Sequence, residues 1–228
     1  MTDRDIDVAG VGATGAGGEV ILEILAERSF TSGTVHALAS ERSVGKRVTY
    51  GERTLKVADL ATFDFSTVKI ALFSAGGSIS AEYAPKAAAA GCVVIDNTSH
   101  FRQDEDVPLV VTEVNPERIA DFASRNIIAN PNCSTMQMMV ALKPIYDAAG
   151  IARINVATYQ AVSGAGRKTI EALAGQTARL LNGKPLELED GEPQFAFTAV
   201  PHIDTFQDNG YTREEMKMVW EPRKILED

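Results

Sequence analysis

The residue with the most direct chemical use in this sequence is a cysteine placed where a strand hands over to a helix. Ile127-Ile128-Ala129 reads as a buried strand ending at Asn130-Pro131-Asn132-Cys133-Ser134-Thr135. Met136, Met139, Val140, Leu142 and Ile145 then recur at helical spacing. Cys133 therefore falls at a helix N-terminus, amid backbone N–H groups without helical partners and the positive end of the dipole. That setting favours the thiolate, the nucleophilic form of the side chain. A small structural thiol is the other reading of an isolated cysteine.

A second set of residues has the pattern of a dinucleotide site. Ile6 to Val11 reads as a short apolar strand, and Glu19 to Arg28 as an amphipathic helix with Val20, Ile21, Ile24 and Leu25 inward. The glycines between them fit two registers, GxGxxG on Gly10, Gly12 and Gly15, or GxxGxxG on Gly12, Gly15 and Gly18. The second is preferred, because it lengthens the strand. It also sets Thr14 and the amides of Gly15, Ala16 and Gly17 at the helix N-terminus, where they can hold a pyrophosphate. Thr34 to Ala39 reads as the next strand and runs into Ser40-Glu41-Arg42-Ser43. Hydroxyls and a guanidinium suit a ribose 2′-phosphate, hence NADP, whereas Glu41 turned inward would bind a 2′-hydroxyl. Val68 to Phe73 is another strand, ending in Ser74-Ala75-Gly76-Gly77-Ser78, a glycine turn before an alanine-rich helix (Ala81 to Ala90) that fits the same cofactor.

The remaining elements must position these groups. Arg47 to Val57 reads as a hairpin around Gly51-Glu52. Cys92 to Ile95 and Pro108 to Val114 read as strands, with a short helix from Pro116 to Phe122. Cys92 has apolar neighbours and reads as core. Alternating strands and helices predict an α/β fold, a Rossmann-type parallel sheet covered on both faces, over residues 1–132. A change of texture after Gly150 predicts an α+β second domain, incomplete in this chain, within residues 133–228. That domain has one long strand pattern from Ile151 to Val162, a helix from Arg167 to Leu181, a polar loop through Pro193 and a strand from Phe195 to Val200. Near the C-terminus Thr212 and Glu215 form a capping box, and Glu214 and Lys217 share a helical face. Such a pair is ordinarily a solvated ion pair.

Composition narrows the partners. The 228 residues include 45% hydrophobic and 23% charged positions, with a net charge of −9. No basic run appears, so nucleic acid and anionic membrane are poor partners. No apolar run approaches a bilayer span, and the polar start Met1-Thr2-Asp3-Arg4-Asp5 is not a signal peptide. Two cysteines make no disulfide framework and no metal-ligating set is evident, which points to the cytoplasm.

Pro131-Asn132-Cys133-Ser134-Thr135, together with Tyr159-Gln160-Ala161-Val162-Ser163-Gly164-Ala165-Gly166, resembles the aspartate-β-semialdehyde dehydrogenase family, and the likeness extends over nearly the whole chain. The resemblance implies that Cys133 attacks the β-carbonyl of aspartyl phosphate and that Gln160 positions the substrate. It further implies that Ser163 and Gly164 approach the nicotinamide. Arg102, in Asp96-Asn97-Thr98-Ser99-His100-Phe101-Arg102, and Asn132 would bind the substrate and its phosphate. Glu214 would bind the substrate amine and Lys217 phosphate. The expected cofactor is NADP and the expected assembly a homodimer or homotetramer, serving lysine, diaminopimelate, methionine, threonine and isoleucine biosynthesis.

The match has departures. The family's catalytic histidine lies beyond the helix that ends this chain, so none of His36, His100 and His202 is assigned as the base, and little turnover is expected of these 228 residues. Gly10 and Gly17 stand where the family favours larger residues, and Pro222 interrupts the last helix. A non-catalytic dinucleotide-binding relative, or an inactive fragment of the family, is the alternative function.

Overall fold

Strands buried on both faces read as near-continuous apolar runs, and four segments of this chain have that character, interrupted by His36 and ended by Asp96. They form β1 (Val8–Val11), β2 (Val35–Ala39), β6 (Ile70–Phe73) and β7 (Val93–Asp96) of a six-stranded parallel sheet. The computed structural model describes residues 5–188 and 191–227. The first four residues of the polar N-terminus, and two of the polar loop before Pro193, lie outside it. The hairpin of β3 (Arg47–Tyr50) and β4 (Arg53–Lys56) turns at Gly51, as expected. A short β5 (Ala58–Asp59) and β8 (Ile127–Ala129) close the sheet order β5-β2-β1-β6-β7-β8.

The register sets Val8 beside both Val35 and Ile70, and Val94 beside Ile127. Chain order reverses between β1 and β6. The carboxyl ends of strands at such a switch point are where open α/β sheets bind ligands. Alternate strand residues feed two cores, with Val8, Ala37 and Leu22 on one face and Ala9, Leu38 and Phe73 on the other.

Helix α1 (Ala16–Glu27) begins earlier than its hydrophobic pattern suggests, and its inward face differs. Gly18, Leu22 and Leu25 are buried, whereas Val20 and Ile24 are 50% and 42% exposed. The glycine turn decides this. A Cβ on Gly18 would lie 2.1 Å from the Gly12 carbonyl oxygen, so the helix rests on the turn through this one residue and its stripe follows at i+4 and i+7.

Helix α2 (Gly77–Ala89) likewise starts ahead of expectation, at the Gly76-Gly77 turn. Pro108 to Val114 does not make a strand. It contributes one bridge, Leu109 to Ala129, before Asn115 Oδ1 accepts the Val111 N–H and turns the chain away. A 3₁₀ helix, Pro116–Ser124, replaces the expected short α-helix.

The sequence reading sets a domain boundary at 132/133. By compactness alone the described chain divides between Arg153 and Ile154, and residues from Met218 onward group with the first unit. Helix α3 (Cys133–Ala149) belongs to the first unit because Met139 is wholly buried in the sheet's core.

The second unit, Ile154–Lys217, is built around α4 (Arg167–Leu181), which matches the expected span. Buried Gln176 on α4 accepts the N–H groups of Phe195 and Ala196, at 2.7 and 3.1 Å, and donates to the Pro193 carbonyl. Among the described residues this unit has no strand, only a bridge between Phe206 and Thr212. The alternating pattern of 151–162 and the 195–200 segment make no ladder. A strand needs a neighbour to take its N–H and C=O groups, and no described segment offers one.

Helix α5 (Arg213–Leu226) starts in the second unit and ends in the first. The capping box forms as predicted, the Glu215 N–H reaching Thr212 Oγ1 and Glu215 Oε2 accepting the Thr212 N–H. Pro222 does not end the helix, because Glu221 and Lys224 on either side are anchored to residues of the sheet's loops.

The Gly12–Gly18 contact generates a prediction. Gly18→Ala drives a methyl into a backbone carbonyl, which cannot rotate away, and should destabilise the chain by at least ~1–3 kcal/mol. Urea unfolding measures it, and an unchanged midpoint would show that the turn yields.

Candidate active site

Every candidate site residue of the first unit lies just beyond the carboxyl end of a parallel strand. After β1, Gly12 takes φ +87° and presses on the next loop, where a Cβ on it would stand 2.5 Å from the Ser74 carbonyl oxygen. Gly15 is the N-cap of α1 and its N–H closes the turn on the Gly12 carbonyl. A Cβ on Gly17 would lie 2.5 Å from Ser74 Oγ, so the glycine that looks costly in a helix permits this approach. These contacts carry the Gly12, Gly15, Gly18 register. Gly10 stays inside β1, at ordinary packing distance from Leu22.

After β2, a 3₁₀ turn (Glu41–Ser43) follows Ser40, and Thr14 Oγ1 donates to Ser43 Oγ at 3.5 Å. The structure thus joins the two expected halves of the cofactor site. Arg42 and Glu41 are both exposed on the turn. Gly76, at φ +95°, opens α2 with no atom within 4 Å of its Cβ position. Two glycine turns at helix N-termini, the second with open space at Gly76, fit the phosphates of a dinucleotide.

The loop after β7 is set by Asp96, which is fully buried. Its carboxylate accepts Ser80 Oγ, the Thr98 N–H and Thr98 Oγ1, all at 2.8–2.9 Å. Arg102 at the loop's end is 7% exposed. Its Nη1 donates to Glu221 Oε1 at 2.9 Å and its Nη2 to the Asn97 carbonyl at 3.0 Å. Its Nε has no hydrogen-bond partner among the described residues.

Asn132 is the N-cap of α3, its Oδ1 accepting the N–H groups of Ser134 and Thr135. The Asn132 N–H itself donates to Glu221 Oε2 at 2.7 Å. Cys133, the first residue of α3, is exposed. Cys92 is fully buried, and that burial pushes its thiol up to about 11.

In the second unit, Gln160 meets the Glu214–Lys217 pair, 54 residues further on, all three given roles by resemblance. Gln160 Nε2 donates to Glu214 Oε1 at 3.2 Å, and Lys217 Nζ donates to Glu214 Oε2 at 2.9 Å. Thr158 Oγ1 donates to the Gln160 side-chain Oε1 at 2.8 Å. Ser163 and Gly164 lie exposed on a 3₁₀ turn (Val162–Ala165). The histidines rest on rings, His36 on Phe63, His100 on Phe101 and His202 on Phe206.

Sequence reasoning missed two carboxylates. Glu221 occurs seven residues after Glu214 on one helix face, and that spacing is its signal. Asp204, which accepts Lys217 Nζ at 3.1 Å, has none. Asp204 takes φ +67°, unusual outside glycine. Partial burial would raise its carboxyl, but the Thr205 N–H and the Lys217 ammonium hold it below the usual range.

Two outcomes follow from this geometry. Iodoacetamide should alkylate Cys133 in the native protein and Cys92 only after unfolding, read by peptide mass, and equal rates would remove the distinction between them. A lowered folded pKa means that the Asp204–Lys217 pair supports the fold above the ordinary value near ~3.9 and fades as pH falls below it. Asp204→Asn should therefore shrink the acid-induced loss of stability below about pH 4. An unaltered acid profile would show that the pair contributes nothing.

A family model described as semialdehyde dehydrogenase, NAD binding domain, matches residues 7–122, and one described as semialdehyde dehydrogenase, dimerisation domain, matches residues 142–228. The aspartate-semialdehyde dehydrogenase of Legionella pneumophila is 62% identical over 225 residues, which is 99% of this chain and 65% of that protein. Aspartate-semialdehyde dehydrogenase 2 of Vibrio cholerae is 63% identical over 225 residues, covering 99% and 67%. A crystal structure of aspartate semialdehyde dehydrogenase II from Vibrio cholerae, complexed with ASA, superposes with a TM-score of 0.95 at 62% identity, covering 99% of this chain and 67% of that one. The chain thus spans about two thirds of the length of these relatives. Two matched domain models and this degree of identity leave one conclusion, that the chain belongs to the aspartate-semialdehyde dehydrogenase family.

Proposed function

We propose that the chain serves the NADP-dependent interconversion of L-aspartyl 4-phosphate and L-aspartate 4-semialdehyde through a thioester on Cys133, as a soluble cytoplasmic homodimer or homotetramer in aspartate-family amino-acid synthesis. The observation that carries this reading is Cys133, exposed as the first residue of a helix whose cap is tied to a buried arginine through one carboxylate. In the acylation step the Cys133 sulfur forms a bond to the β-carbonyl carbon and the carbon–oxygen bond to phosphate breaks, so phosphate leaves with the electron pair. The positive end of the α3 dipole favours negative charge there, the Ser134 and Thr135 N–H groups themselves being taken by the Asn132 cap. Arg102 and Lys217 are the phosphate ligands in this reading, Glu214 receives the substrate amine, Gln160 orients the acyl group, and Asn132 fixes the cap.

NADPH, when bound, supplies the hydride that converts the thioester carbon to the aldehyde level. Gly12, Thr14, Gly15, Ala16 and Gly17 would hold its pyrophosphate, and Ser74, Gly76 and Gly77 the adjoining loop. Ser40, Arg42 and Ser43 would take the 2′-phosphate, and Ser163 with Gly164 the nicotinamide side. The facing Thr14 and Ser43 hydroxyls, and the open Cβ position of Gly76 in the second glycine turn, support that assignment. No role falls to His36, His100 or His202.

Mixing the protein with L-aspartyl 4-phosphate, without cofactor, should release phosphate and add one aspartyl group to Cys133, seen by mass. Cys133→Ser should abolish both, whereas phosphate release undiminished by that change would end the thioester reading. NADP(H) should bind more tightly than NAD(H), and Arg42→Ala should cost tenfold or more for NADP alone, about 1.4 kcal/mol. Equal affinity for both cofactors, indifferent to Arg42, would return the turn to NAD or to mere surface.

A further inference from the structure

Glu221 is 1% exposed, and each of its oxygens has one partner in the candidate site. Oε1 takes the Arg102 guanidinium and Oε2 the N–H of Asn132, the cap beside Cys133. Arg102 therefore sits at a position whose charge is already balanced, with its Nε–H still lacking an acceptor among the described residues. A phosphate arriving at Arg102 finds a donor to satisfy but also a carboxylate close at hand.

We propose that Glu221 is the resident counter-ion of Arg102, a positioning residue that fixes the guanidinium beside the Cys133 helix and by its charge keeps that site's affinity for phosphate low. The inference rests on reading Arg102 as a phosphate ligand. Two effects of Glu221 oppose each other. As a brace it favours binding by holding the guanidinium ready, and as an anion it repels the ligand. The brace is the lesser effect, since the Asn97 carbonyl also holds the guanidinium, through Nη2. The repulsion acts between full charges close together and shielded from water, where Coulomb interactions are strong. Low affinity suits a site that must let phosphate go in one direction and take it up in the other, because ground-state grip adds nothing to the rate of the chemical step.

The test is thermal melting of the chain against inorganic phosphate at constant ionic strength. Glu221→Gln keeps an oxygen for the Asn132 N–H and removes the charge. Half-saturation should move to at least tenfold lower phosphate, about 1.4 kcal/mol tighter. Glu221→Asp, which restores the charge, should return it toward the original value, and Arg102→Ala should abolish the response. A structural role alone lowers the melting temperature without tightening phosphate binding. An Arg102-dependent response that Glu221→Gln leaves unchanged or weakens overturns the inference while the reading of Arg102 stands. Absence of any Arg102-dependent response in the unmodified chain removes that reading and the inference with it. Should Glu221→Gln lack a cooperative melt, folding restored by low phosphate supports the proposal, and no recovery at any phosphate concentration counts against it.

Discussion

A carboxylate withdrawn from water has to be matched by partners, and Glu221 is matched by groups 119 and 89 residues earlier in the chain. Losing one partner of a buried pair costs roughly 3–5 kcal/mol, yet replacing both by apolar residues is often neutral. Stability alone therefore gives little reason to keep such a pair. What it supplies is register among three segments, the loop after β7, the cap of α3 and the last turns of α5. Asn130 Nδ2 donating to Asn97 Oδ1, and Lys224 Nζ donating to the Arg102 carbonyl, draw the same three together. The sheet brings these segments to one edge, and the carboxylate fixes their spacing.

How far the fold could be read from sequence depended on whether the deciding force was local. β1, β2, β6 and β7 are mostly apolar runs, as a parallel sheet buried on both faces favours, so they were legible. Helix α4 and the cap of α5 were legible because their periodicity and capping residues lie within a few positions. The inward face of α1 was not, since Leu22 and Val20 are equally apolar and only the contact of Gly18 with the Gly12 carbonyl chooses between them. The 151–162 segment shows the reverse failure. Its alternation is strand-like, but a ladder is made by a neighbour that the pattern cannot announce.

The candidate site divides along the same line. Glycines at close backbone approaches declare themselves by type and spacing, and the Thr14–Ser43 pair follows once two strand ends are neighbours. The cluster of Gln160, Glu214 and Lys217 was reached through family resemblance, whose motifs record contacts that spacing along the chain does not. Resemblance gave no warning that Arg102 is buried, nor that Glu221 and Asp204 hold two of the cations in place. Those facts depend on three-dimensional neighbours far away in sequence.

The route of α5 has a consequence for synthesis. The sheet and the Asn132 cap leave the ribosome 89 residues before Glu221 does. At about 5–20 residues per second, that interval lasts roughly 4–18 s. For its duration the guanidinium of Arg102 has no counter-charge, and it cannot settle into its buried position without leaving a charge unpaired. The nascent first unit must hold that loop open to water until α5 arrives, so the nucleotide-binding half can mature before the loop beside the cysteine does.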